Sequence, residues 1–417
     1  MDHCELPFAL ACRVRVLENL RDVATWAHPR FIRKTSTVQA GNASAAQNPH
    51  DEFGFVLALG SDTLIPVKPD SLPRHRRQFI KEVGVATAGV VLHQTLLLAA
   101  DVKPETKSGD IPRRKFGRHS EKVSSLALGG ATLAHATSMK DAARIVAAAI
   151  DWGVTFMDNA WEYSRGRAEE WMGAALQGKR DKVFVMTKVC THRKGHETKE
   201  KALAMLEDSL RRLKTDHLDL WQVHQILTDT EADSIFMPGG VLEAIEQAKK
   251  EGKIRYCGFT GHADPKVHLR VLSHHYPFDA VQMPLSVFDG NENGFQKLVL
   301  PELLKQGIAP LAMKTLGGNA QAVKDGLVTS EEALRYALSL PITSVISGID
   351  TLEWLEKNTR VAASFQPLTR KEMTALEQRC SSKRQYEYYR RWAYLDGRKH
   401  QLACAGCASR EAEQWLD

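Results

Sequence analysis

The sequence predicts an α/β fold, a (β/α)8 barrel of the TIM type with N- and C-terminal extensions. Three observations carry that prediction. From residue 123 onward, strand-like and helix-like patterns alternate eight times, which is the spacing of parallel βαβ units, and eight such units can close a barrel. Gly153, Gly178, Gly252 and Gly307 fall just after helical runs, where a left-handed C-terminal cap favours glycine. Asp158, Tyr163, Lys188 and His224 each stand at or just past the end of a short apolar run, so four groups able to handle protons converge on one rim. In a parallel barrel that rim is where chemistry happens.

Taken in chain order, residues 1–70 show no sustained period and include the polar, small-residue stretch Gly41-Asn42-Ala43-Ser44-Ala45-Ala46-Gln47-Asn48; they read as disordered and unassigned. Residues 71–115 read as a leader and linker. Arg76 and Arg77, then Phe79-Ile80-Lys81, precede an apolar run over 83–100 interrupted by His93 and Gln94, and this resembles a twin-arginine export signal. The run is too short and too polar in its middle for a stable membrane span. Such leaders begin near an N-terminus, so the true start, leader included, is expected close to Val67. The expected location is periplasmic by that route, or cytoplasmic if the leader is an ordinary amphipathic segment.

The barrel is assigned to residues 116–366, with strands expected at 123–128, 155–158, 183–188, 218–224, 254–259, 280–282, 308–312 and 344–346. Between strands, Leu203, Leu206, Leu210 and Leu213 step by three and four residues, as one buried helix face requires. Residues 367–417 form the C-terminal helical extension. Within it 368–379 look helical, and Gln385-Tyr386-Glu387-Tyr388-Tyr389-Arg390-Arg391-Trp392 is an aromatic-basic segment expected to bury area against the barrel.

Composition excludes several classes. The 417 residues are 43% hydrophobic and 25% charged, enough for a large core in a globular chain. A formal net charge of +6 is mild for this length and implies no nucleic-acid partner. The cysteines at 4, 12, 190, 257, 380, 404 and 407 are odd in number and scattered, so no disulfide framework follows, and Cys190 and Cys257 read as buried strand residues. Cys404 and Cys407, with Cys380 and His400, are too sparse for an iron–sulfur or zinc set, and no metal is expected.

A buried lysine beside a tyrosine can lower the phenol from its ordinary pKa of about 10 and make it a usable general acid. The stretches Phe156-Met157-Asp158-Asn159-Ala160-Trp161-Glu162-Tyr163, Val185-Met186-Thr187-Lys188-Val189 and Leu218-Asp219-Leu220-Trp221-Gln222-Val223-His224 together resemble the catalytic tetrad of the aldo-keto reductase superfamily, and the resemblance extends over about residues 120–365. It implies an NAD(P)-dependent oxidoreductase that reduces an aldehyde or ketone to an alcohol, or the reverse. Tyr163 would be the acid, Lys188 would favour its phenolate, Asp158 would hold Lys188, and a neutral His224 would donate a hydrogen bond to the carbonyl. The partner implied is a small carbonyl or alcohol.

For the cofactor, expected to be NADP with NAD as the second option, the resemblance implies Gln282 and Thr260 at the nicotinamide carboxamide, Gly129 and Gly130 near the ribose, Gly348 and the following helix at a phosphate, and Asn358 at the adenine. The sequence departs from the family at Gly261, at Lys357, and at Asp350, which would repel a 2′-phosphate unless Lys314 or Lys357 compensates. Trp161, Trp221, His262 and Met313 are expected to shape the substrate pocket. Two other readings stand beside this one. A silent barrel binding nicotinamide nucleotide as a sensor or accessory subunit is disfavoured by the intact tetrad. An aldolase-type barrel with Lys188 as a Schiff-base nucleophile is disfavoured because Asp158 would keep the amine charged.

Overall fold

In the computed structural model, the residues described are 55–58, 64–67, 110–192, 195–262, 264–290, 294–317 and 320–381. The chain divides into two compact units, Met1–Ala88 and Gly89–Asp417. In the first, Phe55–Ala58 and Leu64–Val67 pair antiparallel. The leader around Arg76 and Arg77, the aromatic-basic segment and Cys404 with Cys407 lie outside the described residues.

Among the described residues of the second unit, eight parallel strands close a barrel in chain order. They are β1 (Leu126–Gly129), β2 (Phe156–Asp158), β3 (Phe184–Val189), β4 (Leu218–Val223), β5 (Ile254–Thr260), β6 (Ala280–Pro284), β7 (Ala309–Met313) and β8 (Ser344–Gly348). β8 returns to β1 with Gly348 opposite Gly129, so no edge is left open. The helices that follow the strands are α1 (Met139–Asp151), α2 (Arg167–Ala175), α3 (Lys199–Leu213), α4 (Val241–Lys250), α5 (Pro265–Ser273), α6 (Leu300–Gln306), α7 (Ser330–Leu338) and α8 (Leu352–Ala363). None of the described helices is long and apolar enough to cross a membrane.

Two hydrophobic layers hold this together. Inside the barrel, Ala127, Phe156, Met186, Leu220, Ala280, Leu311 and Ile346 meet. A larger layer fills the space between strands and helices. α3 illustrates the second: the Thr198 side chain accepts from Lys201 N at its start, Ala202, Leu206, Leu210 and Leu213 are buried, Leu203 is half-buried, and Lys214 ends the helix in a left-handed conformation. Each buried leucine contributes roughly 1.5–3 kcal/mol. The four cap glycines at 153, 178, 252 and 307 all have positive φ, as their positions predict.

One expected strand is divided. Lys122–Ser124 pairs antiparallel with Arg113–Lys115, and only from Leu126 does the chain enter the barrel. The reason is local: Ser124 Oγ donates to Leu126 O and accepts from Thr155 N and Phe156 N, which bends the chain between the two segments. The hairpin places Phe116 against Phe184 and Tyr256, each 5.0 Å between ring centroids, and so plugs the end where the strands begin. The last of the described helices, Arg370–Ser381, buries Leu376 and Cys380, and Tyr336 Oη of α7 donates to Glu377 Oε1 at 2.5 Å.

Candidate active site

β2 ends on Asp158, β3 carries Lys188 one residue before its end, and β4 ends one residue before His224. Parallel pairing sets Lys188 opposite Gln222 and Val189 opposite Val223, which brings the ends of β3 and β4 level. Tyr163 opens a tight turn, Tyr163–Gly166, in which Ser164 and Arg165 have φ of 48° and 59°. Trp161 N donates to Lys188 O at 3.1 Å and ties this loop to β3.

Lys188 is the hub. Its ammonium donates to Asp158 Oδ1 at 2.5 Å, to Asn159 O at 2.7 Å and to Tyr163 Oη at 3.3 Å. An ammonium has three donors, and each has an acceptor here. Asp158 and Lys188 are buried, and Asp158 also accepts from the Gln282 side chain. Burial pushes the Asp158 carboxyl up and the Lys188 amine down, while each partner's charge works against that shift.

Tyr163 differs from its expectation. Burial, then the charges of Asp158 and Glu162, hold its phenol well above the ordinary value, so the net effect of the surroundings is to keep the proton on rather than to favour phenolate.

The sequence reading missed three residues around His224. Glu162 Oε1 lies 2.9 Å from His224 Nδ1, His192 Nε2 lies 3.5 Å from Glu162 Oε2, and Cys190 Sγ lies 3.7 Å from His224 Nδ1. Burial raises the Glu162 carboxyl, but hydrogen bonds from His192 and His224 outweigh it and hold the group well below the usual carboxylate range. Burial pulls His224 down to about 4, against the opposing pull of Glu162. A carboxylate can only accept, so a neutral His224 carries its proton on Nδ1 and leaves Nε2 as a lone pair. That is the reverse of the neutral hydrogen-bond donor expected. Lys188 lies in β3, Cys190 is the first residue past its end, and His192 stands in the turn that follows, so strand alternation relates Lys188 to Cys190 and does not reach His192.

The other expected residues fall as follows. Gln282, buried in β6, accepts from Gln222 Nε2 at 3.1 Å, and Thr260, at the end of β5, accepts from Gln225 N at 3.2 Å. A Cβ on Gly129 would meet Ser347 O at 2.8 Å and one on Gly130 would meet Asp158 O at 2.6 Å, so close packing within the rim already requires small residues there. Gly348 is exposed at the end of β8, and Asn358 Nδ2 donates to Ser347 Oγ at 3.0 Å. Lys314 sits within electrostatic reach of Lys188 and Asp158; burial and then Lys188 lower its pKa. Lys357 is paired with Glu353 at 2.6 Å and lies over Trp354.

Of the expected pocket residues, His262 lies near Lys314, His224 and Lys188, and burial followed by those charges holds it well below its ordinary value. Met313 ends β7 in the interior layer. Trp161 donates to Asp208 at 3.4 Å and carries Arg212 over its ring at 5.4 Å, which engages it with α3. Trp221 is a correction. It packs, fully buried, in the layer between strands and helices, because its neighbours Leu220 and Gln222 occupy the inward positions of β4 and alternation sends it outward.

The fold and this rim define a class of barrel oxidoreductases, and comparison agrees. A profile of the Aldo/keto reductase family matches residues 125–326. The chain is 30% identical over 240 residues to "Uncharacterized oxidoreductase YrpG" of Bacillus subtilis (strain 168), covering 52% of this chain and 72% of that protein. It is 28% identical over 302 residues to "Uncharacterized oxidoreductase YqkF" of the same organism, covering 64% of this chain and 95% of the relative. Among solved structures, the aldo-keto reductase AKR11C1 from Bacillus halodurans, holo form, superposes with a TM-score of 0.54 at 25% identity, covering 64% of this chain and 95% of that one. The chain belongs to the aldo/keto reductase family, whose members are oxidoreductases that generally use NAD(P)H.

Proposed function

We propose that this chain is an NAD(P)-dependent oxidoreductase that interconverts a small aldehyde or ketone and its alcohol, with Tyr163 handling the proton. The observation that carries this reading is Lys188 joined at once to Asp158 and Tyr163 on the barrel rim. When bound, the nicotinamide supplies or takes the hydride.

The residues present suit such a cofactor. Asn159 Nδ2 is buried at the rim without a hydrogen-bond partner, an orphan donor that a polar ligand would satisfy. Gln282 and Thr260 would hold the carboxamide, Gly129 and Gly130 would border the ribose, and Gly348, Asn358 and Lys314 would meet the remaining polar groups. Lys357 pairs with Glu353, which leaves Lys314 as the lysine to offset Asp350 at the 2′-phosphate of NADPH.

Tyr163, kept protonated by burial, donates its proton to the carbonyl oxygen as charge develops there. Lys188 donates to the tyrosine oxygen and stabilises the phenolate left behind. Asp158 prevents the buried amine from losing its proton. His224, anchored by Glu162 through Nδ1, has its Nε2 lone pair free to accept from the hydroxyl of the alcohol, and donates nothing to the carbonyl.

The test is turnover of a panel of aldehydes and ketones with NADH and NADPH, alongside fluorescence titration of nucleotide binding. Binding without turnover of any carbonyl or alcohol would leave a silent barrel instead. Borohydride-trappable adducts on Lys188 would point to Schiff-base chemistry.

A further inference from the structure

Glu162, Cys190 and His224 bring a carboxylate, a thiol and an imidazole to one point beside the tetrad. All three are buried, and their donor atoms lie within 4.8 Å of one another. Around His224 Nδ1 the carboxylate oxygen is at 2.9 Å and the sulfur at 3.7 Å. Tetrahedral zinc, with Zn–N and Zn–O of about 2.0–2.2 Å and Zn–S of about 2.3 Å, keeps its ligand atoms about 3.3–3.6 Å apart. Small side-chain rotations separate this pair and draw in the sulfur.

We propose that Glu162, Cys190 and His224 form a binding site for one thiophilic divalent cation of the zinc class. Three features select that chemistry. A thiolate with an imidazole suits zinc and its neighbours and is a poor set for magnesium or calcium, which prefer oxygen. The carboxylate and the thiolate together cancel a charge of two, so the loaded site is neutral where an unbalanced charge is costly. His192, 3.5 Å from the second oxygen of Glu162, is an outer partner able to orient the carboxylate, and three protein ligands leave a fourth position for water.

On binding, the Cys190 thiol releases its proton to solvent, the sulfur–metal bond forms, and the His224 proton moves from Nδ1 to Nε2 as Nδ1 takes the metal. His224 then presents an N–H instead of a lone pair. That last consequence bears on the reductase reading; the site itself does not depend on it.

The test uses full-length protein carrying Cys404→Ser and Cys407→Ser, stripped of metal and titrated with cobalt(II). The expected result is one cobalt per chain, with a thiolate-to-cobalt charge-transfer band in the near ultraviolet and tetrahedral visible bands, all displaced by zinc. Cys190→Ser should abolish the charge-transfer band and weaken zinc binding by roughly 100-fold or more, while Cys257→Ser leaves both unchanged. Zinc-edge X-ray absorption of the protein with Cys190 intact reads the same point without that variant, as one sulfur in the first shell. No cobalt bound at micromolar concentration, a band that survives Cys190→Ser, or a first shell of nitrogen and oxygen alone each overturn the site. Because these readouts are spectroscopic, they stand whether or not the chain turns over carbonyls.

Discussion

Lys188 spends all three of its donors, so removing it changes more than one partner. Lys188→Met leaves Asp158 buried without its cation, and the expected loss of stability is about 3–5 kcal/mol, measured by chemical denaturation. The phenolate of Tyr163 loses its nearby positive charge, so turnover falls and the tyrosine ionises at still higher pH. Asp158→Asn keeps a hydrogen-bonding partner in place and should be milder on both counts. An unchanged pH–rate profile in the lysine variant would make Lys188 purely structural. Tyr163→Phe tests the acid directly, because it deletes the hydroxyl and little packing. Carbonyl reduction should fall by about 10²–10⁴-fold with nucleotide affinity retained, and activity within a few-fold of the parent would remove Tyr163 from the role. Asp158, Tyr163, Lys188 and His224 were legible because each sits at a strand end or in the loop after one. Glu162 was hidden in plain view beside Tyr163, since nothing in a linear reading shows which way its carboxylate turns.

At the scale of elements, α5 carries a titration that acts on stability. His268 is buried against Phe259 and Phe295, and burial, weakly opposed by the Asp264 backbone, brings it to about 3. The unfolded chain binds a proton at this histidine below about pH 6.5 and the native chain does not, so stability falls as the pH drops from about 6.5 toward 3. The slope from this group is about 1.4 kcal/mol per pH unit. His268→Phe should flatten the acid limb of a stability–pH curve by about one proton, and an identical limb in the variant would refute the assignment. α8 bears on cofactor choice. With Lys357 paired to Glu353, Lys314 is left to offset Asp350, so Lys314→Met should lower kcat/KM with NADPH more than with NADH, and Asp350→Lys should shift the ratio toward NADPH. NADPH-to-NADH ratios unchanged in both variants would contradict this.

For the whole chain, the organisation around the barrel yields a prediction about location. We propose that Arg76 and Arg77, followed by Phe79-Ile80-Lys81 and an apolar run, direct export of the already folded enzyme, because a barrel that loads its nucleotide in the cytoplasm has to cross the membrane folded. Replacing both arginines by lysine should trap the protein in the cytoplasm of its native host, read by fractionation. A parent protein that is wholly cytoplasmic and uncleaved would end the export reading and leave the reductase assignment untouched.

What the sequence determined by itself is what local chemistry dictates: the βα alternation, the cap glycines, the leucine face of α3 and the placing of proton-handling residues at strand ends. These depend on residues within a turn or two of each other. The tertiary structure alone decided what depends on register and burial. Ser124 bends the chain because Thr155 and Phe156 reach it from another strand, and the split of the first expected strand follows. Trp221 faces outward because β4 turns its even-numbered neighbours to the axis. Cys190 and His192 reach His224 because β3 and β4 end level, and Glu162 reaches it because the bond from Trp161 N to Lys188 O ties the loop after β2 to β3. The direction of the Tyr163 pKa was likewise out of reach, since its largest cause is burial, which only the packed rim sets, with the charges of Asp158 and Glu162 adding to it.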